Sequence, residues 1–189
     1  LMLALFRKLV KEANHVAAGE WVRLTGNEIM GKTLAVIGLG RIGKEVAVRA
    51  HAFGMTIVGF DLYWDEGFAV KYGVKRCDSA ETAINQADII SLHTNLSDET
   101  RGMINEASLA KMKDGVVILN CARGEIVNTQ DMVNALNSGK VGGYGTDVLD
   151  IEPPPSDHPL LSAPNTVITP HIGSRTFESV ERQATMAAK

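Results

Sequence analysis

The run Gly38-Leu39-Gly40-Arg41-Ile42-Gly43, followed by Asp61 at the end of the next apolar stretch, constrains this 189-residue chain more than any other feature. Lys32-Thr33-Leu34-Ala35-Val36-Ile37 reads as a buried strand, and Ile42, Val46, Ala50 and Phe53 then recur at helical spacing. The glycines therefore fall on a strand-to-helix turn. The first permits a tight bend, the second lets backbone approach a pyrophosphate, and the third lets helix pack against strand. A helix start also presents unbonded N–H groups and the positive end of a dipole, which favour phosphate. Thr56-Ile57-Val58-Gly59-Phe60 reads as a second strand, closed by Asp61, where a carboxylate suits ribose hydroxyls. A lone GxGxxG is weak, but this one has the strand, the helix, the second strand and an acid at an interval of about 20 residues, a combination that indicates a dinucleotide site. The alternatives are an ordinary tight turn for the glycines, and a helix cap or solvated strand end for Asp61. Asp61 would repel a 2′-phosphate, and Leu62-Tyr63-Trp64-Asp65-Glu66 has no Arg or Lys to receive one, so the pattern selects NAD over NADP.

The length suits one large domain with a substantial core. A net charge of −3 gives no general attraction to nucleic acid or to an acidic membrane surface. Cys77 and Cys121 stand far apart without a CxxC pair, which indicates neither a disulfide framework nor a zinc site and suits a reducing, cytoplasmic compartment. His51 and His93 form no metal-spaced set with a third ligand, and no metal is expected. The apolar opening Leu1-Met2-Leu3-Ala4-Leu5-Phe6 is interrupted by Arg7, Lys8 and Lys11 well short of a membrane span. Met2, Leu5, Phe6, Leu9, Ala13 and Val16 share one helical face, so residues 1–20 read as an amphipathic helix leading into the domain. The chain is expected to be part of something longer. Trp21 and Trp64 read as packing or interface groups, because no basic run accompanies them.

Further along, Val74–Arg76, Ile89–Leu92, Gly115–Leu119, Tyr144–Val148 and Val167–Thr169 read as strands. Helices are expected over 40–53, 79–86, 105–111, 129–138 and 175–189. This alternation predicts an α/β fold, a doubly wound parallel sheet with helices on both faces. Ligands in such sheets bind beyond the carboxyl ends of the strands. There the chain places His93, Thr94, Asn120, Cys121, Ala122, Arg123, Asp147 and His171 along one edge. Glu152-Pro153-Pro154-Pro155-Ser156-Asp157-His158-Pro159 reads as a stiff surface loop with a solvated His158.

Hydride transfer to a 2-keto acid needs a cation for the substrate carboxylate, an acid for the carbonyl oxygen, and a partner that keeps the acid protonated. Arg123, His171 and Glu152 are the right types at the right edge. The planar fork of Arg123 suits a carboxylate, although on position alone it reads equally as a surface partner of Glu125 or Asp131. His171 alternatively caps a helix or fills a core, and Glu152 alone reads as a solvated loop carboxylate. Paired, Glu152 would favour the charged form of the His171 imidazole. Cys121 lacks a base and reads as small lining beside a cofactor, not as a nucleophile.

With Asn120-Cys121-Ala122-Arg123-Gly124-Glu125-Ile126-Val127 and Thr169-Pro170-His171-Ile172-Gly173-Ser174, the glycine motif resembles the D-isomer-specific 2-hydroxyacid dehydrogenases, in the family's order and over essentially the whole chain. Its members include D-3-phosphoglycerate dehydrogenases and glyoxylate/hydroxypyruvate reductases. The spacing of Arg123, Asp147 and Glu152 is also similar to the family's. The resemblance implies that Arg123 binds and polarises the substrate, His171 is the acid/base and Glu152 orients it. It implies cofactor contacts from Gly38, Gly40, Arg41, Ile42, Gly43 and Asp61, with Asp147 near the nicotinamide. Thr94, Cys121, Ala122, Arg123, His171 and Gly173 would line the same cleft. Asn95 stands where the family often has Pro, and Arg175 where a small residue is usual. The resemblance further implies that residues 1–189 are a cofactor domain and that 175–189 lead back to a substrate domain outside this chain. A homodimer through the nucleotide domain is implied too, with a small 2-keto or 2-hydroxy acid as substrate. Two other readings remain: an NAD-sensing binding protein like the C-terminal-binding transcriptional corepressors, and another Rossmann nucleotide binder. The last gives no reason for Arg123, Glu152 and His171 together.

Overall fold

Residues 1–187 are described by the computed structural model, and among them seven parallel strands form one sheet. They are β1 (Thr33–Ile37), β2 (Thr56–Phe60), β3 (Val74–Arg76), β4 (Ile89–Leu92), β5 (Val116–Asn120), β6 (Val141–Thr146) and β7 (Thr166–Ile168). Their order is β3-β2-β1-β4-β5-β6-β7. The chain winds outward from β1 to β3, returns to lay β4 against β1, and winds outward again to β7. The direction reverses between β1 and β4, and the crevice beyond their carboxyl ends is where such sheets take ligands. The doubly wound sheet expected from the sequence is therefore present.

Alternation along β1 feeds both faces. Leu34 and Val36 join Ile57, Ile89, Val117 and Leu119 in one apolar cluster, while Ala35 and Ile37 join Val58, Ile90, Leu92, Ile118 and Tyr144 in the other. Burial on both sides is why these strands read as continuous apolar runs. The helices are α1 (Met2–Phe6), α2 (Leu9–Ala17), α3 (Arg41–Ala52), α4 (Glu66–Tyr72), α5 (Ala80–Asn85), α6 (Glu106–Lys111), α7 (Thr129–Ser138) and α8 (Phe177–Ala187). The first cluster takes Ala47 and Ala50 of α3 and Ala69 of α4, and the second takes Ala83 and Ile84 of α5, Leu109 of α6 and Met132 and Leu136 of α7.

Several expected strands and helices are off by a single residue at an end, and four elements differ from the sequence reading by more. Helix α4 is additional. Its signals are local: the Asp65 side chain accepts from Phe68 N–H at 3.0 Å, and Gly73 ends the helix at φ 64°. Strand β6 runs over Val141–Thr146 rather than the expected Tyr144–Val148; Gly142 and Gly143 dilute its apolar pattern and hide the early start, and it stops at Thr146, before the Asp147 turn. A Cβ on Gly142 would stand 2.5 Å from the Gly115 carbonyl oxygen, so the strand needs the bare backbone. The opening helix is two helices, broken at Lys8 with φ 52°. Phe6 is buried, whereas Leu9 and Val16 are exposed, so the expected single stripe is split in two. Helix α8 starts at Phe177, not at 175, and residues 188–189 of the expected helix lie outside the described residues. Trp21 is 83% exposed, while Trp64 packs against the core with the Arg76 guanidinium 5.5 Å from its ring centre. Among the described residues no helix is long and apolar enough to cross a membrane.

Candidate active site

The glycine turn has the shape a dinucleotide phosphate needs. Gly38 has φ 94°, and a Cβ there would lie 2.7 Å from the His93 carbonyl carbon and oxygen, so the ends of β1 and β4 touch. A Cβ on Gly43 would fall 1.9 Å from the Gly38 carbonyl oxygen, which leaves no room for any side chain at the helix–strand contact. Gly40 differs: nothing lies within 4 Å of its Cβ position, so the turn is open there. No side chain caps α3, whose first-turn amides are left for a ligand. These features fit the pyrophosphate of NAD. Arg41 and Ile42 are exposed at that helix start, and Thr94 adjoins Gly38 from the β4 side.

Asp61, at the end of β2, ties the turn down. Its Oδ2 accepts from Leu39 N–H at 2.6 Å and its Oδ1 from Tyr63 N–H at 2.7 Å. Each oxygen keeps a second lone pair. Lys44 is engaged in an ion pair with Asp65.

At the ends of β5, β6 and β7 a second group gathers. Asn120 is fully buried; its Oδ1 accepts from Ala122 N–H at 3.0 Å and its Nδ2 donates to the Arg123 carbonyl at 2.9 Å. That clamp shapes the turn on which Cys121, Ala122 and Arg123 sit. The Arg123 guanidinium is exposed and donates through Nη1 to the Ala122 carbonyl at 2.6 Å. Glu152 Oε1 accepts from Leu149 N–H at 2.9 Å, and Oε2 meets His171 Nδ1 at 2.8 Å. Burial works against the charge of Glu152, but the bonds from His171 and from Leu149 N–H, with the His171 charge, hold it below the usual carboxylate range. Nε2 of His171 has no partner among the described residues and is left for a reacting oxygen. Arg123, Glu152 and His171 line one cavity of about 230 Å³ with Gly124, Leu149 and Asp150.

Asp147, 6% exposed, holds the His171 loop. Its Oδ1 accepts from the Thr169 hydroxyl and from Ile172 N–H at 2.9 Å, and its Oδ2 from Gly173 N–H at 2.8 Å. A Cβ on Gly173 would stand 3.1 Å from Oδ2, and His171 itself is held at φ 53°. Despite the opposing effect of burial, these bonds keep Asp147 below the usual range. The Cys121 thiol is pushed up by desolvation and by the Asp147 charge, the opposite of what a nucleophile needs. His93 is pushed down to about 4 by burial and bonds Ser91 Oγ at 2.8 Å, so it is neutral near pH 7.

The candidates thus fall in two groups along one edge: the glycine turn with Asp61 and Thr94, and Arg123, Asp147, Glu152, His171 and Gly173. Two residues were undervalued by sequence. Asn120 gives no pattern signal for its clamp. His158, expected in solvent, is 4% exposed, because Leu160 and the following turn draw the loop into the core. A larger cavity, about 1060 Å³, lies elsewhere, between α1–α2 and the amino ends of β5 to β7, lined by Lys8, Lys113 and Asn165 among others. Among the described residues no cluster of His, Cys, Asp or Glu suits a metal ion.

Residues 1–173 match the family model described as D-isomer specific 2-hydroxyacid dehydrogenase, NAD binding domain. The chain is 41% identical over 191 residues to a D-3-phosphoglycerate dehydrogenase of Methanocaldococcus jannaschii, covering 100% of this chain and 36% of the relative. It is 43% identical over 187 residues to a hydroxypyruvate reductase of Thermotoga maritima, covering 96% and 60%. The structure superposes on that of D-lactate dehydrogenase with NAD⁺ from Lactobacillus jensenii with a TM-score of 0.88 at 30% identity, covering 99% of this chain and 60% of that one. The chain therefore spans between about a third and three fifths of the length of these relatives. Their names are those of enzymes, which favours the dehydrogenase reading over the corepressor one.

Proposed function

The chain belongs to the D-isomer specific 2-hydroxyacid dehydrogenase family, as its NAD-binding domain, and on that premise we propose that the whole protein interconverts a small 2-keto acid and the D-2-hydroxy acid using NAD. The observation that carries the reading is the 2.8 Å contact of Glu152 with His171 in the cavity that Arg123 also lines.

When bound, the nicotinamide supplies or takes up the hydride. In the reducing direction Arg123 receives the substrate carboxylate on its guanidinium fork, which fixes the carbonyl for attack. His171 Nε2 gives its proton to the carbonyl oxygen as the alcohol forms. Glu152 orients the imidazole through Nδ1 and balances its charge before transfer. In the oxidising direction the same nitrogen takes the proton back. Gly38 to Gly43 hold the pyrophosphate, Asp61 the adenosine ribose, and Thr94, Cys121, Ala122 and Gly173 line the cleft. Residues 1–189 act as the cofactor domain, with 175–189 leading to the substrate domain. The protein works in the cytoplasm, where Cys77 and Cys121 stay reduced, as a homodimer. Exposed Trp21, Leu9 and Val16 support a contact beside the opening helices.

The test is turnover by the full-length protein with glyoxylate, hydroxypyruvate and pyruvate, and with 3-phosphoglycerate in reverse. NADH consumption with a keto acid, giving the D-hydroxy acid from hydroxypyruvate or pyruvate and achiral glycolate from glyoxylate, or NADH formation from NAD⁺ with D-3-phosphoglycerate, is expected; L product from hydroxypyruvate or pyruvate, or no turnover of any of these, overturns the proposal. Two variants probe the roles. Asp61→Ala loses a charged acceptor worth about 1.5–3 kcal/mol, so NADH affinity is expected to fall about 10- to 100-fold while discrimination against NADPH relaxes. Unchanged titrations with both cofactors would remove the ribose role. Arg123→Lys exchanges a fork for a point charge and is expected to raise KM for the keto acid about tenfold. An unaltered KM means that Arg123 serves only its own turn.

A further inference from the structure

His158 has no part in the proposed reaction, yet it bonds Asp150, which lines the cavity of the acid–base pair, and it is fixed at both ring nitrogens. Nδ1 accepts from Leu160 N–H at 3.3 Å, so in this arrangement the ring proton sits on Nε2, which donates to Asp150 Oδ1 at 2.8 Å. His158 N–H donates to the Pro155 carbonyl at 3.0 Å, which closes the proline-rich loop behind the ring. Burial works against the Asp150 charge, but the bonds from His158 and from the Thr129 hydroxyl keep the carboxyl below its usual range, so a charged acceptor faces the ring at neutral pH.

Asp150 occupies the joint of the site. A Cβ on Gly124 would fall 2.0 Å from the Leu149 carbonyl carbon and 2.3 Å from the Asp150 nitrogen, so the Arg123–Gly124 turn rests directly on the Leu149–Asp150 backbone. From the same backbone Leu149 N–H holds Glu152 Oε1, and Glu152 Oε2 holds His171. Movement of this short turn therefore shifts both the carboxylate that orients the imidazole and the turn that carries the guanidinium. The bond from His158 anchors the turn to the buried side of the proline loop.

We propose that His158 and Asp150 form a positioning pair that fixes the Leu149–Glu152 turn, and through it sets Glu152 on His171 and seats the Arg123 turn. The proposal rests on the acid–base reading of Glu152 and His171 above. His158 touches no reacting group; it acts through Asp150. A misplacement of about 1 Å in such a scaffold costs up to about 100-fold in rate.

The test uses the full-length protein labelled with nitrogen-15, whose ring nitrogen shifts report which nitrogen of His171 carries the proton. In wild type the signature of a protonated Nδ1 facing Glu152 is expected. His158→Leu removes the donor at similar bulk: the His171 signature is expected to average between tautomers and kcat to fall about 10- to 100-fold. NADH affinity should stay near that of wild type. His158→Gln keeps an amide N–H near the place of Nε2 and should restore both the signature and most of the rate. Asp150→Ala, at a less buried position, should repeat the loss and serves if His158→Leu does not fold. An unchanged signature and rate in Asp150→Ala overturns the proposal, as does a loss in His158→Leu that Gln at 158 fails to restore. If wild type turns over no 2-keto acid while the His171 signature still responds to these changes, the dehydrogenase reading fails and the positioning pair stands.

Discussion

His171→Gln is expected to lower kcat for 2-keto-acid reduction by about 10²- to 10⁴-fold, the usual contribution of a positioned general acid. A glutamine amide donates a hydrogen bond to a carbonyl oxygen but has no proton to transfer at neutral pH, so orientation survives and chemistry does not. NADH affinity should be little changed, because the cradle around Gly38, Gly40 and Gly43 is built from β1, α3 and the end of β4. Steady-state rates alongside a cofactor titration check both halves. Wild-type rates would remove His171 as the acid; parallel loss of cofactor binding would make its role structural. The Glu152 partner adds a pH sign. Its carboxyl lies below the usual range in the folded protein, so the stability it contributes is present above its unfolded pKa and lost as pH falls through its folded one. Glu152→Gln is therefore expected to flatten that acid limb of stability.

Gly43→Ala is expected to damage both folding and cofactor binding. Its Cβ would stand 1.9 Å from the Gly38 carbonyl oxygen, a backbone atom with no rotamer to give way. Helix α3 must shift from β1, which costs about 1–3 kcal/mol as an overpacked contact. The shift also draws the α3 amides off the pyrophosphate, and the lost charge-assisted bonds amount to about 10- to 100-fold in NADH affinity. Gly40→Ala separates the two effects. Its backbone is extended at φ −69°, and nothing lies within 4 Å of its Cβ, so the fold should tolerate the methyl group. NADH affinity should still fall, because the methyl group occupies the side from which the phosphate approaches. Denaturant melts and titrations of both variants check this; equal stability loss in the two would contradict the geometry.

The sheet was legible because its central strands are buried on both faces and separated by helical spacing. Leu34 to Ile37 and Val116 to Leu119 announce themselves as apolar runs. Where glycine replaces apolar side chains, as at Gly142 and Gly143, the pattern fades, and the register with β5 shifts at Gly142 before pairing resumes at Gly143. The break at Lys8 was hidden because apolar periodicity continues on both sides of a single left-handed residue. At the site, motif spacing brought Arg123, Glu152 and His171 forward, since their residue types name a chemistry. The clamps beneath them were not legible. Asp147 holds the N–H groups of Ile172 and Gly173, 25 and 26 residues away, a pairing no local pattern encodes. Asn120 clamps groups two and three residues on, and His158 bonds the Asp150 side chain eight residues back, but neither residue type names such a partner.

The central claim is that NAD binds beyond the carboxyl ends of β1, β4 and β5, and not in the larger cavity at the other end of the sheet. Titration of the chain with NADH, followed residue by residue through amide resonances, tests this most directly. Saturable shifts are expected at Leu39, Gly40, Asp61, Thr94 and Ala122, with no shifts at Lys113 or Asn165 and much weaker binding of NADPH. Shifts gathered at Lys113 and Asn165, or no saturation with NADH, would contradict it.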